Sequence, residues 1–178
     1  MLEIDFPGKE LYSNQLNEFY TVKPCHLQLE HSLISLSEWE SKWKKPFYRD
    51  KGQMSRNEFL DYIRCMTITK GVDPMLYQAL SREDIQLIQN YIDDPMTATW
   101  FAKDDKNSKI SKDVITAEIV YYWMIINNIP FECRKWHLNR LLTLIKVCSI
   151  KNAGEKKMSQ QDVMKQNHQL NKARRGKR

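Results

Sequence analysis

Ser55-Arg-Asn-Glu-Phe-Leu-Asp-Tyr-Ile-Arg-Cys-Met66 is the stretch that decides the class of fold. Its first four residues fit a capping box. A serine oxygen accepts from a backbone N–H that the first helical turn leaves unbonded, and a glutamate three residues on reaches back to the cap. Phe59, Ile63 and Met66 then recur at three- and four-residue spacing, which lays them on one side of a helix. The same pattern recurs on both sides. Ser35-Leu-Ser-Glu38 predicts a second capped helix, Ser81-Arg-Glu-Asp84 and Ser159-Gln-Gln-Asp162 are aspartate versions, and Ser111-Lys-Asp113 opens a further candidate. Ile85, Ile88 and Ile92 give Arg82–Ile92 one apolar side. Val114–Ile126 becomes apolar on all sides at its end, which predicts a central buried helix stopped by Asn127-Asn-Ile-Pro130. In Trp136–Cys148, Leu138, Leu141, Leu142, Ile145 and Cys148 share a face that Leu144 and Val147 widen.

Toward the N-terminus the period changes. Leu2–Phe6 and Leu27–Glu30 alternate apolar and polar, as half-buried strands do, with Pro7-Gly8 and Lys23-Pro24 as punctuation. The expected fold class is α+β: a mainly helical domain with a small N-terminal β-sheet and a basic C-terminal tail, helical or disordered. Residues 1–150 are expected to form a single globular domain, with strands in about 1–31 and helices in about 35–150. Lys103–Lys109 reads as a solvated loop, and Lys151–Lys157 as a linker to a tail spanning 151–178. Met158–Arg174 is a polar helix with few apolar anchors, Val163, Met164 and Leu170.

A hydrophobic content of 42 % supplies enough apolar surface for a core and excludes global disorder. The net charge of +6 is unevenly distributed. Residues 151–178 hold nine bases and two acids, a net +7, whereas residues 1–150 hold nineteen bases and twenty acids, a net −1. The body is therefore neutral and the excess charge belongs to the tail. Cys25, Cys65, Cys133 and Cys148 form no CxxC pair, which points to four buried thiols in a reducing cytosol. The start of the chain lacks the apolar stretch of a signal peptide. The longest apolar run, Ile119–Ile126, is too short to span a bilayer, which takes about 20 residues.

Catalytic and metal signatures are sparse. Cys133 and His137 have a C-x3-H spacing, but no second Cys/His pair lies nearby in sequence, and His26 beside Cys25 joins them only if the fold brings it there. Neither cofactor nor metal is expected. None of the four histidines sits in a local catalytic signature, and no phosphate-binding glycine loop occurs, so a non-enzymatic protein is expected. Trp39 and Trp43, four residues apart, are read either as core or as a partner-binding face, since aromatic anchors dominate interfaces. Trp100 and Phe101, in Met96-Thr-Ala-Thr-Trp-Phe101, invite the same two readings. Trp136, Leu144 and Val147 complete the candidate partner-binding set. Glu38 and Lys42 have the spacing to pair across a helical turn. The basic tail, with Lys165, Lys172, Arg174, Arg175, Lys177 and Arg178, would neutralise phosphates without reading sequence. It contains no aromatic residue to stack on bases, so nucleic acid is the less favoured partner.

Three long segments resemble a known family. They are Leu27-Gln-Leu-Glu-His-Ser-Leu-Ile-Ser-Leu-Ser-Glu-Trp-Glu-Ser-Lys-Trp-Lys-Lys-Pro-Phe47, Pro95-Met-Thr-Ala-Thr-Trp-Phe101, and Tyr121-Tyr-Trp-Met-Ile-Ile-Asn-Asn-Ile-Pro-Phe-Glu-Cys-Arg-Lys-Trp-His-Leu-Asn-Arg-Leu141 with its continuation to Leu144. With Lys156-Lys-Met-Ser159 they resemble the tail assembly chaperones of long-tailed (siphovirus-type) bacteriophages. The resemblance implies a helper that coats the apolar, helical tape measure protein until tail-tube subunits polymerise around it. It implies work in the host cytoplasm and absence from the mature virion. It also implies a longer frameshifted form of the protein itself, and the tail-tube protein, as further partners. Lys156-Lys157 would lie at an A-rich slippery site, which the gene sequence would reveal. No functional residues carry over from the family, so the candidate site residues come from surface physics. Two other readings stay open: a structural virion or head–tail connector protein, and a basic nucleic-acid-binding protein. No membrane partner is expected, and the oligomeric state is not legible.

Overall fold

A computed structural model describes residues 1–13, 17–50, 54–101 and 114–154. The chain divides into two compact units, Met1–Ile145 and Lys146–Arg178. The architecture is α+β and mainly helical, with a small β region at the N-terminus.

Strand β1 (Leu2–Phe6) pairs antiparallel with β4 (Cys25–Leu29), placing Leu2 opposite Leu29 and Ile4 opposite Leu27. Ile4, Phe6, Leu27 and Leu29 are buried while Glu3, Asp5 and His26 face outward, so the period-2 pattern selects the register. A second antiparallel pair, β2 (Lys9–Ser13) with β3 (Glu18–Val22), lies within the expected strand region but was not foreseen strand by strand. Gly8 joins β1 to β2 at φ 87°, where a Cβ would stand 3.0 Å from Pro24 Cδ and 3.1 Å from the Val22 carbonyl oxygen. Positive φ and close approach both favour glycine there.

Helices α1 (Leu33–Trp43), α2 (Phe47–Asp50), α3 (Arg56–Met66), α4 (Pro74–Ala79) and α5 (Arg82–Asp93) follow. The boxes at Ser55/Glu58 and Ser81/Asp84 form as expected. That of α1 does not: the cap is Ser32, and Ser35 occupies the third helical position, answering the Ser32 N–H with its own hydroxyl at 2.9 Å. Serine thus takes the place expected of glutamate, and the helix starts three residues earlier. Helix α6 (Ala117–Ile126) is followed by a 3₁₀ turn, Phe131–Lys135, and by α7 (Leu138–Gly154). Residues 151–154, expected to begin a linker, continue α7 instead. The expected starts at Ser111 and Ser159, and the Lys103–Lys109 loop, lie outside the described residues.

At the centre of the first unit, Trp39 of α1, Phe47 of α2 and Tyr62 of α3 pack together. The Trp39 and Phe47 rings meet edge to face at 5.6 Å, and Phe47 and Tyr62 lie 4.3 Å apart. Each ring fully removed from water contributes on the order of 1.5–3 kcal/mol. Glu40, buried beside them, accepts from the Phe47 N–H at 2.9 Å and from the Ala117 N–H at 2.7 Å. Thr116, the cap residue of α6, makes no side-chain cap bond, so Glu40 of α1 supplies that role across the fold. Burial raises the Glu40 pKa, and the two backbone donors oppose that shift.

Candidate functional site

Helix α6 positions the candidate site. Its sequence, Ala-Glu-Ile-Val-Tyr-Tyr-Trp-Met-Ile-Ile, holds a single charged residue, Glu118. Ala117, Val120 and Met124 are buried at three- and four-residue spacing. The opposite side faces solvent: Tyr122 is 59 % exposed, Ile125 58 % and Ile126 52 %. This overturns the expectation of a helix buried on all sides. An all-apolar composition carries no periodicity to show which side meets the core. The anchors at Ala117 and Val120, with Glu40 at the first turn, fix the orientation.

The 3₁₀ turn adds a further exposed apolar ring. Asn128 adopts φ 53° and Ile129 N–H bonds back to the Met124 carbonyl at 2.9 Å, reversing the chain. Phe131, 51 % exposed, thereby brings its ring to 6.4 Å from that of Tyr121. Tyr122, Ile125, Ile126 and Phe131 are thus four exposed apolar side chains on α6 and the turn that follows it, and exposed apolar surface marks interaction sites when it is contiguous. Sequence reasoning offered none of these four as a site residue. The available signal was a helix with one charge in ten positions; a protein of this length has few elements left to cover all its sides.

The expected site residues divide into three groups. Trp39 is a correction: it is fully buried, and its indole N–H donates to the Glu58 carbonyl at 2.9 Å. With Leu36 it lies on the core side of α1, so it has no surface to offer a partner. Trp43 is half-buried; its indole N–H donates to Asp61 at 2.8 Å, and Lys42 lies 5.8 Å from its ring centre. It therefore belongs to a polar seam between α1 and α3. In that seam Lys42 pairs with Asp61 at 2.6 Å and Glu38 pairs with Arg64 at 3.0 Å, so the expected Glu38–Lys42 pair is replaced by pairing between helices. Burial would raise the Asp61 pKa, but hydrogen bonds from Lys42, Arg64 and Trp43 outweigh it and hold the carboxyl below its usual range.

Trp100 is the most open of the expected set, at 83 % exposure, on a segment without helix or strand. Phe101 beside it is half-buried. Trp136 follows the 3₁₀ turn with one side of its ring covered by the Arg140 guanidinium, 4.6 Å from the ring centre. Leu144 is half-buried in the first unit, and Val147 is half-buried in the second. The basic residues Lys165, Lys172, Arg174, Arg175, Lys177 and Arg178 lie outside the described residues. Elsewhere, Tyr12 and Phe19 form an exposed cross-strand aromatic pair, 5.2 Å apart, that sequence reasoning missed.

All four cysteines are free; Cys133 is buried and the other three are half-buried, which corrects the expectation of four buried thiols. Among the described residues no cluster of three or more His, Cys, Asp or Glu is arranged to hold a metal ion, and no helix is long and apolar enough to cross a membrane. His137, half of the C-x3-H spacing, has its Nε2 directed to the Tyr91 carbonyl at 3.0 Å. Among the described residues, Glu58 has a strongly depressed carboxyl, held at about 2 by hydrogen bonds from the Lys45 ammonium and from the Ser55 backbone and hydroxyl. That is a structural role within a helix cap. No protein-family model, curated protein or solved structure matches this chain.

Proposed function

We propose that this protein is a non-enzymatic tail assembly chaperone of a long-tailed bacteriophage, and that the outer face of α6 with the 3₁₀ turn grips apolar helical stretches of the tape measure protein. The observation that carries the proposal is the exposure of Tyr122, Ile125, Ile126 and Phe131 on an element with almost no charge. A holdase needs apolar groups held open by a scaffold that does not collapse onto them, and the buried side of α6 supplies that scaffold. The resemblance supports the assignment from a second direction, since its longest segment, from Tyr121 to Leu144, contains all four exposed residues and all of the 3₁₀ turn.

In this reading the protein acts in the host cytoplasm and leaves before the virion is complete. A longer frameshifted form of itself and the tail-tube protein are its further partners. The cationic tail adds long-range attraction to acidic stretches of the client, which salt weakens. Co-expression with the tape measure protein tests the assignment. Soluble client should increase when this chain is present, and an unchanged soluble fraction contradicts the proposal. Mass spectrometry of purified virions separates it from the connector reading, which requires stoichiometric presence in particles.

A further inference from the structure

His31 and His137 are buried side by side, their rings edge to face at 5.1 Å. They stand where three parts of the first unit meet. His31 closes the link between β4 and α1, and its Nδ1 lies 2.5 Å from the Tyr62 hydroxyl of α3. His137 lies between the 3₁₀ turn and α7, makes a β-bridge with Ser32, and reaches the Tyr91 carbonyl near the end of α5. Its neighbours add two ties: Leu138 N–H donates to the His31 carbonyl at 2.7 Å, and the Asn139 amide donates to the carbonyls of Ile92 and Asp94 at 3.0 and 2.7 Å. The carbonyl of Tyr91 can only accept, so His137 carries its proton on Nε2. Its Nδ1 is buried without a hydrogen-bond partner among the described residues.

We propose that this histidine pair is an acid-sensitive clasp: protonation of His137 releases the segment around Leu138 and Asn139 from the β4–α1 link and from α5. A proton added at Nδ1 meets no acceptor, and it places a charge beside a second buried imidazole. The groups facing His137 pull both ways. Glu30, whose carboxylate accepts from the Tyr91 hydroxyl at 2.7 Å, and Asp94 favour the imidazolium; the amino group of Met1 opposes it. Tyr91 stacks edge to face on the ring at 4.9 Å and brings no charge. Burial dominates and holds the His137 pKa below its ordinary 6.5. A group depressed in the folded state stabilises above its unfolded pKa and ceases to do so as pH falls through the folded one. The clasp is therefore closed at neutral pH and opens as pH falls below the ordinary histidine range.

The experiment uses the full chain, taken from about pH 7.5 to about pH 4.5, with the histidine ring protons followed by NMR. Amide-exchange protection, corrected for the intrinsic rate at each pH, is followed in parallel. The His137 ring should titrate below 6.5, and protection of the Leu138 N–H should fall about tenfold with the same midpoint while that of Val120 holds. His137→Gln keeps a donor for the Tyr91 carbonyl and removes the titration, so its Leu138 protection should not respond to pH in this range. Loss of protection at the same pH in His137→Gln overturns the clasp. If that variant does not fold, the native protein decides: a Leu138 midpoint that follows His26 or His31, or a His137 ring that titrates with Leu138 unchanged, overturns it equally.

Discussion

Glu40 and Glu58 are both buried acids near the Trp39 ring, yet pH acts on them in opposite directions. Glu58 has its pKa lowered to about 2, so it stabilises the fold above the unfolded carboxylate value of 4.5, and that contribution is lost as pH falls toward 2. Glu40 has its pKa raised by burial, so its contribution is complete below 4.5 and declines as pH rises through the folded value. Urea unfolding at several pH values separates them. Glu58→Gln should flatten the fall in stability between pH 4.5 and about 2. Glu40→Ala strands the N–H groups of Phe47 and Ala117 and should cost about 2–4 kcal/mol at neutral pH; Glu40→Gln, which keeps one acceptor, should cost less. Trp39 was open to two readings, core or partner contact, and its full burial decides for the core. Its spacing with Trp43 was legible, but only the position of the Glu58 carbonyl shows that its indole N–H is satisfied inside.

At the scale of elements, α6 separates composition from orientation. Met124→Ala should destabilise the protein by about 2–4 kcal/mol, as large-to-small changes in a core do, whereas Ile125→Ala should stay within about 0.5 kcal/mol. Thermal or urea unfolding of the two variants checks this, and equal losses would mean that both sides of α6 are packed. The elements legible in sequence were those with a strong local signature. Ser55/Glu58 and Ser81/Asp84 announced α3 and α5, and alternation in Leu2–Phe6 announced β1. Those missed lacked one. Ser32 and Ser35 do not fit a box that ends in glutamate, and in Glu18–Val22 only Val22 is buried, so β3 carries no inward–outward alternation. The exposed face of α6 was hidden for the opposite reason: uniform apolarity predicts burial, yet Tyr122, Ile125 and Ile126 stay open to solvent among the described residues.

For the molecule as a whole, Trp39, Phe47 and Tyr62 all belong to the first unit, which ends at Ile145. Deleting Lys151–Arg178 should therefore leave the melting temperature of the body nearly unchanged, and a large drop in a thermal scan would show that the segment is integral to it. The outer side of α6 and the 3₁₀ turn are proposed to hold an apolar polypeptide. Hydroxyl-radical footprinting of the protein, alone and co-purified with the tape measure protein, tests this at single residues. Tyr122, Ile125, Ile126 and Phe131 should lose labelling in the complex while Tyr12 and Phe19 keep theirs. Unchanged labelling of the α6 face in a stable complex would contradict it.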